Sequence, residues 1–96
     1  MKRRALPAEG EWAVYLLLCG DGSLYTGITN RLAKRLASHQ RGKGAAYTRS
    51  HLPVALVFHE RAASKGEALS REAAIKRLDR VGKLLLIAPP RRRRAR

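Results

Sequence analysis

The stretch Trp12–Ile28, WAVYLLLCGDGSLYTGI, decides how the rest of the chain can fold. Trp12 to Cys19 is an unbroken apolar run with Val14, Tyr15 and three leucines, consistent with a buried strand. Gly20-Asp21-Gly22-Ser23 is a turn cluster, and Leu24-Tyr25-Thr26-Gly27-Ile28 follows as a second short strand. Two strands around a Gly-rich turn predict a β-hairpin. Its register stays open. A four-residue loop closing on Cys19 and Leu24 puts Tyr15 and Tyr25 on opposite faces of the sheet. A shift of one residue, or a bulge, puts them on the same face.

Working outward, Thr29-Asn30 offers an N-cap for a helix from about Arg31 to Gln40, with Leu32 and Leu36 on its apolar face. Arg41-Gly42-Lys43-Gly44 stops that helix with two glycines and two cations. Pro53 to Glu60 reads as a third strand, its proline tolerated at the start. Ser64-Lys65-Gly66-Glu67 is a capping-box pattern that opens a second helix from about Lys65 to Leu78. Asp79 caps a last short helix with Leu84, Leu85 and Ile87 on its apolar side, and Pro89 stops it. The order β-β-α-β-α-α predicts an α+β fold: a small three-stranded antiparallel sheet flanked by helices.

The 96 residues suit one domain, placed at 12–88. Residues 1–11 read as a basic N-terminal extension and 89–96 as a disordered Arg-rich tail. Lys and Arg number 21 against 7 Asp and Glu, a formal charge of +14. The extension carries +1 and the tail +5, leaving +8 on the domain itself. Such an excess points to a polyanionic partner, nucleic acid before membrane. No run approaches the length of a membrane span and no apolar leader follows Lys2-Arg3-Arg4, so a cytoplasmic protein is expected, compatible with the nucleoid. Cys19 stands alone, and His39, His51 and His59 match no zinc-finger spacing.

The residues able to carry chemistry are few. Tyr15 and Tyr25 stand on the two hairpin strands, and Gly27 leaves room for a close approach at the sheet face. Arg35 and His39 are four apart and flank the Leu32–Leu36 stripe. Glu72 has Ala68 and Leu69 one turn before it and Ile75 one turn after, so its carboxylate lies near the packed seam. That position is costly without a partner such as Arg or a metal ion. Taken singly, each has a plain structural reading: a rim tyrosine, a solvated arginine, an i,i+4 ion pair of Glu72 with Lys76.

Taken together, in order and at these spacings, Ala13-Val14-Tyr15, Asp21 to Thr29 with Tyr25-Thr26-Gly27, Arg35, Gly42 to Arg49, and Arg71 to Lys76 resemble the GIY-YIG endonuclease superfamily, in its small stand-alone bacterial branch. The likeness covers Trp12 to Ile87. It implies a divalent-metal-dependent phosphodiesterase acting on DNA, structure-selective or weakly selective, with a place in DNA repair. Glu72 would bind one Mg²⁺ or Mn²⁺ ion. Tyr25 would take a proton from the attacking water, or relay it. Because a phenol holds its proton at neutral pH, a cation must favour its loss. Arg35 would stabilise the charge on phosphate oxygens, and Tyr15 and His39 would assist positioning or proton transfer. Lys43, Tyr47 and Arg49 look like contacts to the nucleic-acid backbone.

The chain has Ala13-Val14 where the superfamily name has Gly-Ile. It also lacks the late Asn of many active members: Asn30 is the only Asn, and Lys83 is the candidate for that place. The alternative reading is a non-catalytic nucleic-acid-binding module, DNA more than RNA, that keeps the fold; a basic protein bound to ribosomal RNA is a third. A monomer or weak homodimer is expected, with no membrane partner.

Overall fold

The computed structural model describes residues 5–88. The expected basic extension lies partly, and the Arg-rich tail wholly, outside them. Strands β1 (Ala13–Leu18) and β2 (Leu24–Thr29) form the hairpin, and β3 (Ala55–Arg61) pairs with the other side of β1. Both pairings are antiparallel, in the order β2-β1-β3. Helices α1 (Leu32–Gln40) and α2 (Ala46–Arg49) separate β2 from β3, and α3 (Lys65–Lys76) and α4 (Arg80–Ile87) follow. The α+β architecture is the one the sequence predicts, with α2 added. That four-residue helix has no side-chain cap and no apolar period, so nothing in the sequence announced it.

The hairpin takes the shifted register. Cys19 N–H donates to the Ser23 carbonyl at 2.9 Å, closing a three-residue loop, Gly20-Asp21-Gly22, instead of four. Gly22 N–H donates to the Cys19 carbonyl at 2.9 Å with φ +87°, a left-handed position suited to glycine. Asp21 Oδ1 locks the turn by accepting from Ser23 N–H at 3.0 Å and Ser23 Oγ at 2.6 Å. Leu17 therefore faces Tyr25, and Tyr15 faces Gly27, which puts both tyrosines on one side of the sheet.

That side packs Tyr15, Leu17, Cys19, Leu32 and Val54, with Tyr25, Leu36 and Leu56 against them. The opposite side packs Val14, Leu16, Ala68 and Ile75, with Phe58, Leu86 and Ile87 among their neighbours. A one-residue irregularity in β3 at Val57 lets Val57 and Phe58 both join the second layer. The sheet is thus sandwiched, α1 on one face and α3 with α4 on the other.

Helix ends follow the sequence closely except at the start of α1. Its N-cap is Arg31, without a side-chain bond, rather than Thr29 or Asn30. Thr29 Oγ1 instead accepts from Arg31 N–H at 3.0 Å, a turn bond one step too early to cap the helix. Its C-terminus closes on Gly42 at φ +79°, with Gly42 N–H to His39 O and Lys43 N–H to Ser38 O. Ser64 caps α3 by accepting from Glu67 N–H at 3.1 Å, and Asp79 caps α4 through Gly82 N–H at 2.9 Å. On α4 Ile87 packs inward as expected and Leu86 joins it, whereas Leu84 and Leu85, expected on the same stripe, are exposed. The helix meets β3 only toward its C-terminal end, and that rotation follows from where it docks.

Candidate active site

The hairpin register builds the site. Tyr15 is 1% exposed, and its ring crosses β2 where Gly27 has no side chain. A Cβ at Gly27 would stand 2.6 Å from the Tyr15 hydroxyl, so only glycine admits the ring there. Across this gap the Tyr15 hydroxyl reaches His39 Nε2 at 2.9 Å. His39 comes from the last turn of α1 and is 0% exposed, a core residue and not one flanking the apolar stripe. Gly44 makes room for it, since a Cβ at Gly44 would clash with His39 Nδ1.

The direction of the hydrogen bonds can be read outward from the backbone. Thr48 Oγ1 donates its hydrogen to the Ala45 carbonyl at 2.9 Å, so it accepts from His39 Nδ1–H at 2.9 Å. Nε2 is then the acceptor for the Tyr15 O–H. The result is a buried chain, Tyr15 to His39 to Thr48 to backbone, with the neutral imidazole in a fixed tautomer. Burial, with a smaller push from Arg35, lowers the His39 pKa. Burial raises the Tyr15 pKa to about 12, against a lowering by the Arg35 guanidinium. The charge of Glu72 also reaches Tyr15, and so does Tyr25. Tyr25 is half-buried, its ring centroid 6.4 Å from that of Tyr15 and 5.5 Å from that of His39.

Glu72 projects from α3, which touches both β1 and β2, and its side chain is 19% exposed. Its partner is Lys76 Nζ at 3.3 Å, the i,i+4 cation, not an arginine. Among the described residues no ion pair engages Arg35. Tyr47 stacks near-parallel on Tyr25 at 6.2 Å and on His51 at 4.1 Å, and its hydroxyl donates to Ser23 Oγ at 2.6 Å. Lys43 and Arg49 are exposed on the α1–α2 turn and on α2, and no bond among the described residues ties either side chain to the cluster. Lys83 lines a cleft of about 350 Å³ over the outer edge of β2 with Leu24, Tyr25, Thr26, Tyr47 and Lys76.

Of the five sequence candidates, Tyr15, Tyr25 and His39 stand in ring contact, Arg35 lies one turn before His39 on α1, and Glu72 comes from α3, paired with Lys76. Sequence reasoning missed the packing roles of Thr48 and Gly44, whereas the Glu72–Lys76 pair is the i,i+4 ion pair it offered. The second glycine after α1 was a readable signal for close packing.

Tyr15 and Tyr25 share one face of the three-stranded sheet, with an arginine and a histidine from the following helix, and a glutamate comes from a later helix of this α+β domain. Residues 11–84 match the family model described as the GIY-YIG catalytic domain. The chain belongs to the GIY-YIG family. It is 51% identical over 79 residues to the UPF0213 protein of Streptococcus sanguinis, covering 82% of this chain and 91% of that one. Among solved structures, the UPF0213 protein BH0048 of Bacillus halodurans is 41% identical with TM-score 0.53, covering 82% of this chain and 88% of that one. The E. faecalis protein EF2693 is 33% identical with TM-score 0.59, covering 95% and 100%. No helix of the described residues is long and apolar enough to cross a membrane.

Proposed function

We propose that the chain is a divalent-metal-dependent phosphodiesterase that cleaves nucleic-acid strands, DNA before RNA, in the cytoplasm. The observation that carries this reading is the buried hydrogen bond of Tyr15 to His39, with the Tyr25 ring against both and Arg35 one turn earlier on the same helix. The sequence reading gave the proton of the attacking water to Tyr25. The fixed tautomer of His39 supports giving it to Tyr15 instead: as its oxygen accepts from water, its own proton passes to Nε2. Half-exposed Tyr25 would orient the water from the open side. Arg35, unpaired by any carboxylate among the described residues, would hold phosphate oxygens as charge builds on them.

Magnesium keeps most of its waters and takes one or two carboxylates together with substrate phosphate. Glu72, mostly buried and already drawing a cation, has that chemistry. No group of three or more His, Cys, Asp or Glu among the described residues offers a closed cage. The residues therefore fit an ion shared with the substrate, held on the protein side by Glu72. Such an ion would supply Lewis-acid polarisation of the phosphate.

The test is a Mg²⁺-titrated cleavage assay on single-stranded, duplex, nicked and flap DNA and on RNA. It compares the wild type with Tyr15→Phe, Tyr25→Phe, Arg35→Ala and Glu72→Ala, with binding followed in parallel. Metal-dependent cutting that falls about a hundredfold or more in each variant while binding persists is the expected result. The Glu72–Lys76 ion pair favours a second reading, the non-catalytic module, because the carboxylate already has a partner. An uncut panel, bound equally by wild type and Glu72→Ala, would decide for it.

A further inference from the structure

The cleft beside the reactive cluster has a composition that catalysis of the phosphate alone does not need. Two aromatic rings, Tyr25 and Tyr47, and two ammonium groups, Lys76 and Lys83, line the same space of about 350 Å³. The rings are near-parallel, 17° apart in plane with centroids 6.2 Å apart, and a third ring, His51, backs Tyr47 at 4.1 Å. Tyr47 is held in that orientation from two sides. Its hydroxyl donates to Ser23 Oγ at 2.6 Å, and its backbone carbonyl bonds His51 Nδ1 at 2.6 Å, which holds the His51 ring against one face of the phenol. A tyrosine 42% exposed and held by its hydroxyl bond and by the His51 ring is a preorganised stacking surface. Surface cations alone would attract any polyanion, but flat rings beside them favour a nucleobase whose face is free.

We infer that this cleft is a subsite for one unpaired nucleotide next to the scissile phosphate: its base stacks on the Tyr47 and Tyr25 rings, and Lys76 and Lys83 hold its phosphate. The inference rests on the proposed nuclease reading and names its substrate class, strands with unstacked bases rather than continuous duplex. It assigns Tyr47 a base contact instead of a backbone contact, and it gives Lys83 a role in binding. Lys76 exchanges one anion for another, leaving Glu72 for the substrate phosphate. A duplex cannot enter in the same way, because its bases are stacked on one another and present only their edges.

The experiment is equilibrium binding in EDTA, so that cutting is neither needed nor able to interfere, read by fluorescence anisotropy at several salt concentrations. The probes are a single-stranded DNA, the same strand with a run of abasic sites, an RNA of the same sequence, and a blunt duplex. The base-bearing DNA strand should bind about tenfold tighter than the abasic one, as expected for one stacked base. Tyr47→Ala should erase most of that difference, and Tyr47→Phe, which keeps the ring but loses the bond to Ser23, should retain part of it. Lys76→Gln and Lys83→Gln should each reduce the salt slope by somewhat under one. Equal affinity for base-bearing and abasic strands by the wild type overturns the proposal, even if Tyr47→Ala proves too unstable to assay. So does a preference for the blunt duplex. If RNA shows the same base dependence as DNA, the subsite reads the unpaired base and not the sugar. Either outcome leaves the cleavage assay independent, so the nuclease reading stands or falls on its own measurement.

Discussion

In the proposed mechanism His39 must be neutral to take the Tyr15 proton, and its surroundings favour the neutral form. Burial lowers its pKa below the ordinary 6.5, and the nearby Arg35 charge adds to the shift. Tyr15, raised to about 12, keeps its proton throughout the working range until His39 receives it. Two consequences share one sign. In the unfolded chain the imidazole protonates near 6.5, whereas in the fold it does so at lower pH. The stability that follows is present above about 6.5 and is lost as pH falls through the folded value. Activity needs the same neutral form. A steady-state pH profile of kcat/KM should show an acid limb centred below 6.5 and no alkaline limb from Tyr15 short of about 12. His39→Gln, which cannot gain a proton, should lose most of the rate and the acid limb with it. An acid limb that survives this substitution would assign the titration to another group.

At the scale of elements, the site depends on the register of the hairpin, and here sequence and structure part company in an instructive way. The strands, the turn and the helix order are all legible, because apolar runs and glycine clusters mark them. The register is not, because closing on Ser23 or Leu24 differs by one residue whose selection rests on Gly22 adopting φ +87°. Once Tyr15 faces Gly27, the missing side chain becomes a requirement of the site. Gly27→Ala brings a Cβ to 2.6 Å from the Tyr15 hydroxyl and 2.7 Å from its ring carbon, so the ring must move. We expect the sheet to persist and cleavage to fall about a hundredfold, the cost of misplacing a catalytic group by about 1 Å. A near-native amide spectrum with a lost Tyr15–His39 contact would show the cause; unchanged turnover would remove Tyr15 from the chemistry. The burial of His39 was hidden for a related reason. Its position beside Leu36 suggested a helix flank, whereas Thr48 of α2, Gly44 before it and Tyr15 of β1 enclose it.

For the whole molecule the charge is distributed unevenly around a site that sits at one edge. The cleft wraps the outer edge of β2, so α2 from one layer and α3 and α4 from the other can all reach it. Residues 5–88 carry +6 of the total +14, leaving the larger share on the terminal segments. Arg91 to Arg94 and Arg96 contribute +5 without an acidic residue among them. Charge of that kind adds affinity for any phosphate backbone and selects no structure. Replacing all five with Gln should flatten the dependence of log K on log salt, by up to about 3.5 for single strands if every arginine neutralises a phosphate. The rate of cleavage at saturating substrate should be unchanged, because the reactive cluster is complete within Tyr15 to Glu72. A salt titration of binding, set beside single-turnover cleavage, separates the two. A loss of saturated rate together with affinity would make the arginines part of substrate positioning, and the site would then extend beyond the sheet edge.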